Sequence, residues 1–474
     1  MAGRHSAGTS KASSGARASQ GPAATDGPVT TYGPLRLAAG VTRWNLSTYY
    51  WLAFTSIMIF SFVPAAQTAL LTTVLSVPKD EQGGVVGVTG LIGEFVLIAT
   101  VGLAGAWSDR LGRRPIAVMG YLLMGVGITL TPFVGGLLPF YAARGVIAVG
   151  LAMITVMLTA IVSDYVRDET RGKANGLLGL CNGLGALVTF FVLLKLPDLF
   201  EGLGLDETGA LRATYLLVAA IALGTALLMR IGLRKGRVSD HTEHIPISTL
   251  LKVGIAEAKR PGVAFSYVGA FVARADLALV GAFLTLWAQQ YGTNELGLSE
   301  SAALAKAGAL LGISNGMALI AAPVIGIIAD RLTRKDAVLI SLAVASVGYT
   351  ATILIENPFS PLGYAVAAVI GVGQVSAVIS TQVLVAEQSP VATRGSVIGT
   401  FALSGGIGIM IAFALGGTLY DAWRPAGPFV LFGLLAAAAF VYGLAVRSKI
   451  PSVAHETVEE RLADIDGTPV GGAQ

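Results

Sequence analysis

Twelve apolar runs divide this chain, each near the length needed to cross a bilayer. A hydrocarbon layer of roughly 30 Å takes about 20 residues at 1.5 Å rise each. The runs fall at 49–73, 86–108, 115–136, 138–164, 174–196, 209–231, 263–291, 302–329, 336–356, 361–386, 395–419 and 425–446. No water is available in lipid to satisfy the backbone, so runs of this kind are helices. The weakest break is Gly135–Pro139, between the third and fourth runs. Charged residues make up 13% of the 474, about half of the roughly 25% of a soluble domain, which excludes an ordinary globular enzyme. The fold class is an all-α membrane protein with twelve transmembrane helices.

Lysine and arginine set the orientation. With both termini cytoplasmic, the tails and the loops on that side hold 25 of the 32 basic residues, and the other side holds five. Those five are Lys79, Lys195, Arg212, Lys306 and Arg424. The sequence therefore predicts a multi-pass protein of the cytoplasmic (inner) membrane with both ends inside. The net charge of +4 is spread over short loops facing the lipid surface. It forms no continuous stripe, and nucleic acid is excluded as a partner. Residues 1–45 are rich in Ser, Gly, Ala, Thr and Pro with no apolar core, and read as a disordered cytoplasmic tail, without a signal peptide. Residues 448–474 read as a second cytoplasmic tail.

One cysteine, Cys181, permits no intrachain disulfide and no cysteine metal cluster. Its reading is packing. His5, His241, His244 and His455 all lie in polar segments, so no metal site and no cofactor is expected within the apolar part. No P-loop or nucleophile elbow is present, and the chain is read as no enzyme.

Two charged turns recur. GAWSDRLGRRP starts at Gly105 and GIIADRLTRKD at Gly326, with Asp109 and Asp330 separated by 221 positions. A second motif also recurs: Asp164, six residues, Arg171-Gly172, and then Glu387, six residues, Arg394-Gly395, offset by 223. Two motifs at nearly one period define two parallel six-helix halves, at 46–233 and 262–447, joined by a cytoplasmic linker at 234–261. Parallel halves of this kind point to alternating access about a central site.

These residues carry a family resemblance. Over about 400 residues the chain resembles a major facilitator superfamily transporter. The loop signature G-x-x-x-D-R-x-G-R-R stands as Gly105, Asp109, Arg110, Gly112, Arg113 and Arg114. The second copy, at Gly326, Asp330, Arg331 and Arg334, has Thr333 where the inner glycine belongs. Arg144-x5-Gly150 is similar to the family's R-x-x-x-G-x-G, with Ala148 replacing the first glycine. The resemblance implies two pseudo-symmetric bundles and a conformational latch at the charged turns, with Asp164, Arg171, Glu387 and Arg394 in the same network. The residues give a physical basis for that role. Asp109 and Arg113, at i and i+4, can pair, and Asp109 can face the positive start of the eleventh span near Arg394–Gly395. Gly105 allows close helix approach. The bland alternative is a basic anchor at the membrane surface.

An ionisable residue inside the membrane is a functional hypothesis by default. There are four: Glu94, Arg144, Arg274 and Asp276. Glu94 and Arg144 sit at depths of about 12 Å and 9 Å, compatible with an ion pair. Arg274 and Asp276 lie near the middle of the seventh span. Two residues apart, they point about 200° from each other. The resemblance implies that the first, fourth, seventh and tenth spans line the cavity, which puts Arg274 or Asp276 at the midplane. Desolvation favours a neutral carboxyl, making Asp276 first choice and Glu94 second choice for proton coupling. Arg274 and Arg144 suit a substrate carboxylate or phosphate. Gln374 and Asn315 can orient a solute, with Asn182 and Tyr50 as weaker candidates. For each charged residue the alternative is a structural pair, and for each polar one it is helix–helix glue.

The glycine-proline signature of proton-driven exporters is broken at Thr189–Phe190, after Gly185, and the first span carries no acid. Sugar-porter signatures are absent as well, so the resemblance stops at the superfamily. The expected function is proton-coupled secondary transport of a small organic solute, leaning to an organic anion, by a monomer in the lipid bilayer. One alternative is efflux of lipophilic or amphipathic compounds or lipids, for which Trp51, Phe265, Phe271 and Trp287 are compatible cavity residues. An alternative of another class is a non-transporting membrane sensor.

Overall fold

The computed structural model describes residues 30–236 and 247–451. The parts of the expected tails at 1–29 and 452–474, and residues 237–246 of the expected linker, lie outside the described residues. Among those described, twelve helical stretches are long and apolar enough to cross a membrane. Spans 1 to 6 are Arg43–Thr73, Gln82–Leu111, Arg113–Phe133, Leu137–Tyr165, Asp168–Gly202 and Glu207–Gly232. Spans 7 to 12 are Pro261–Asn294, Glu300–Ile327, Arg334–Leu354, Pro361–Gln388, Arg394–Ala422 and Gly427–Lys449. They form two six-helix bundles. The weak break is real: a 3-10 turn at Thr131–Phe133 ends span 3, and Gly136 caps the start of span 4 at Leu137.

One expectation about the loops needs correction. The supposed disordered tail is ordered from residue 30. Thr31–Tyr32 and Leu35–Arg36 form a short antiparallel hairpin, and Leu37 bridges Val166 beyond span 4. Backbone bonds from Ala38 N to Tyr165 O and from Arg167 N to Arg36 O fix this strap. Its anchors are apolar, with Leu35 and Leu37 each 1% exposed. The composition of the first 45 residues hid a few well-spaced leucines. The linker contains a helix, Ile247–Ala256. Its Gly254 lies against Ser396 and Thr400 of span 11, and Tyr267 donates to the Gly254 carbonyl at 2.9 Å.

Small residues set how the helices meet. In the first bundle Gly150 packs against the backbone of Gly120 on span 3, which explains the glycine matched in the span 4 signature. Between the bundles, span 2 runs beside span 11 and span 5 beside span 8. At the end opposite the basic loops these pairs are tight. Gly87 meets the Phe413 carbonyl, and Gly308 meets the Phe190 carbonyl. At the basic end they diverge: among the described residues, nothing from a neighbour lies within 4 Å of where a side chain at Gly105, Gly176, Gly326 or Gly399 would begin. The space between the bundles therefore opens toward the basic end.

Candidate functional site

A cavity of about 310 Å³ sits between the bundles. Two helix irregularities help to shape it. Pro64 stands inside span 1. Span 7 changes from α to π geometry over Leu279–Leu284, and Val280, Gly281 and Ala282 of that segment line the cavity. Such bulges recur at functional sites because they redirect side chains without ending the helix. A carbon added at Gly281 would fall 4.0 Å from Pro64 Cγ, so the two irregularities face each other.

Five of the residues singled out by sequence line this cavity: Glu94 from span 2, Arg144 from span 4, Arg274 from span 7, Asn315 from span 8 and Gln374 from span 10. Most of the remaining wall is apolar, including Phe60, Leu97, Phe190 and Phe413. Asn315 spends one amide hydrogen on the Leu311 carbonyl at 3.0 Å. Gln374 is 6% exposed. Asp276 lies outside the described side chains.

The expected Glu94–Arg144 ion pair is not formed: no ion pair or hydrogen bond joins Glu94, Arg144 or Arg274 to another described residue. Similar depth on two helices does not fix the direction in which their side chains point. The cation whose field acts on Glu94 is instead Arg274, from the other bundle. Both charged side chains rest on neighbouring glycines of span 11. A carbon added at Gly405 would fall 2.8 Å from Arg274 Cγ, and one at Gly406 would fall 3.2 Å from Glu94 Oε1. Sequence reading missed this glycine pair, because nothing in a glycine-rich helix marks which positions face a charge.

Other candidates fall elsewhere. Tyr50 donates to the Ala174 carbonyl, and Trp51 to Thr225. Phe265 packs with Tyr442 and Trp287 with Phe429. None of these, nor Phe271 or Asn182, lines this cavity. Cys181 packs against the core of the first bundle.

The charged turns are well defined in the first bundle. Arg113 bonds Asp109 at 2.6 Å, Asp164 at 2.8 Å and Ser108 at 2.6 Å. Gly112, at φ +93°, supplies the left-handed turn that lets span 3 restart there. Arg171 pairs with Asp168 and donates to the Ser163 carbonyl. The second bundle repeats the long-range contact, with Arg334 3.7 Å from Glu387. Asp330 and Arg331 lie outside the described side chains. Asp109 is engaged with its own bundle, and the approach of span 11 to Gly105 is not made in this arrangement.

The profile of the Major Facilitator Superfamily matches residues 46–318 and again 266–469. The chain belongs to that superfamily. The two matches overlap and together cover both halves, and the family is one of secondary transporters acting on small molecules. Magnetosome protein MamH of Paramagnetospirillum magneticum is 26% identical over 393 residues, covering 81% of this chain and 88% of that protein. Magnetosome protein MamZ of the same organism is 26% identical over 401 residues, covering 83% of this chain and 61% of MamZ. Among solved structures, nucleoside transporter NupG has the same fold, with a TM-score of 0.67 at 15% identity over 87% of this chain and 100% of NupG. This superfamily member is an integral multi-pass membrane protein.

Proposed function

We propose that this transporter carries a small organic anion coupled to protons. It acts as a monomer in the cytoplasmic membrane with both termini inside. The observation that carries the reading is the convergence of Arg144 and Arg274, from opposite bundles, on one cavity that also holds Glu94. Neither guanidinium is consumed by an ion pair among the described residues. A guanidinium offers forked donors matched to a carboxylate or phosphate, and the apolar wall suits the body of an organic ion.

Coupling follows from the charges. While Glu94 is ionised, its field offsets that of Arg274. When Glu94 takes a proton, Arg274 is left uncompensated and the cavity favours an anion. The proton and the anion thus enter together, and the anion draws the halves 46–233 and 262–447 toward each other through one arginine on each. Asp276 serves as a second proton site on the same helix as Arg274. The basic loops make the open end cytoplasmic, so this arrangement faces inward.

The test is proton flux in proteoliposomes with an internal pH dye. Small organic anions are screened beside lipophilic cations, comparing the parent with Glu94→Gln and Asp276→Asn. The expected result is an anion-driven pH change in the parent that Glu94→Gln abolishes. Anion transport with no pH change, unaltered by either substitution, would overturn the proton coupling. Selective movement of lipophilic cations would favour the efflux reading, which the phenylalanine lining supports.

A further inference from the structure

Span 2 begins at the end opposite the basic loops, where span 11 finishes. The first N–H groups of a helix have no partner within it. In span 2 the preceding residue, Glu81, supplies no side-chain cap. One carboxylate of the other bundle takes two of these donors: Gly83 N donates to Asp421 Oδ1 at 2.9 Å and Gly84 N to Asp421 Oδ2 at 2.6 Å. The fit requires glycine, because a carbon added at Gly83 would overlap the Asp421 carboxylate. Gly417, one turn earlier, packs on the Gly83 carbonyl.

Asp421 is badly placed for its own helix. An acid in the last turn faces the negative end of the helix dipole, and Asp80 and Glu81 add negative charge at the same rim. The position becomes favourable only with the start of span 2 beside it. Asp109 has the complementary placement. It lies in the last turn of span 2, at the end where span 11 begins at Arg394. That contact is open here.

We propose that Asp421 and the Gly83–Gly84 amides form a latch that holds the end opposite the basic loops closed. Asp109 is its counterpart for the other state. The antiparallel pair of spans 2 and 11 then carries one acid-to-helix-start latch for each state, and the two acids bias the equilibrium in opposite directions. Side-chain contacts ring the first latch. Lys79 bonds Thr293 and Asn294, and Tyr420 donates to Gln290, which bonds Gln82.

The test is the rate at which a membrane-impermeant maleimide, added outside intact cells, labels a cavity cysteine. The parent carries Cys181→Ala and Ser61→Cys. Control cysteines at Glu356 and Lys173 establish which end faces out, independently of any substrate. The labelling rate follows the population opened to the outside. Loss of the latch at this solvent-lined rim should raise it roughly three- to tenfold in Asp421→Asn, whereas Asp109→Asn should lower it. Gly84→Pro removes one donor at a helix position that tolerates proline. It should raise the rate as well, with little further gain when combined with Asp421→Asn. Rates within twofold of the parent for both Asp421→Asn and Gly84→Pro would overturn the proposal, as would a change of the same sign in Asp109→Asn.

Discussion

Adding one methyl group at Gly405 tests whether Arg274 needs its seat. The new carbon would fall 2.8 Å from Arg274 Cγ and 3.2 Å from its Cβ. Cβ is fixed to the backbone and Cγ moves only with a change of χ1, so relief is harder than for a flexible tip. Either Arg274 changes rotamer or spans 7 and 11 separate, at a cost of about 1–3 kcal/mol for overpacking. A displaced guanidinium also loses its charge-assisted bonds to a bound anion, worth about 1.5–3 kcal/mol. Gly405→Ala should therefore raise KM for the driving anion by roughly 10- to 100-fold. Gly406→Ala is the control. Its nearest atoms are Ile98 Cδ1 at 2.9 Å and Glu94 Oε1 at 3.2 Å, both ends of mobile side chains, so KM should change by less than about threefold. The assay is the proteoliposome flux measurement, with KM and kcat determined for parent and both variants. An unchanged KM in Gly405→Ala, or equal losses in the two variants, would refute the assignment of Arg274 to the anion.

Two further outcomes follow from contacts away from the cavity. Arg113→Ala should destabilise the protein by about 1–3 kcal/mol, because it leaves Asp164 unpaired and half-buried. Thermal unfolding in detergent would register this as a lower Tm, with Arg113→Lys retaining part of the difference. Leu37→Ala removes an anchor that is 1% exposed, and should cost about 2–5 kcal/mol of local stability. Faster proteolysis within residues 30–42, at unchanged transport KM, is the readout.

Spans and repeats were legible because lipid imposes a length on every helix and duplication copies charged turns at a fixed offset. The gathering of Glu94, Arg144, Arg274, Asn315 and Gln374 around one cavity also followed from rarity: each is costly in hydrocarbon and so lies where water or protein can face it. Pairing was less legible. Depth along a helix can be counted, but the direction of a side chain around the helix depends on tilt and packing, which led to Arg144 being matched with Glu94 where Arg274 is the neighbouring charge. Asp421 went unread because it falls just past the apolar run of span 11, where an acid looks like an ordinary loop charge. The strap over residues 30–42 was masked by a polar composition that averages away Leu35, Leu37 and Val41.

The glycines at the parted end have a cost that this arrangement does not offset. Within a helix each glycine gives up about 0.5–1 kcal/mol relative to alanine, a loss normally made good by close contact with a neighbour. Gly105 and Gly399, and Gly176 and Gly326, have no such neighbour among the described residues. In the proposed alternating access, these glycines belong to a seam that closes in the other state. On that reading, the glycine cost carried by this conformer, about 0.5–1 kcal/mol at each position, narrows the gap to the alternative one.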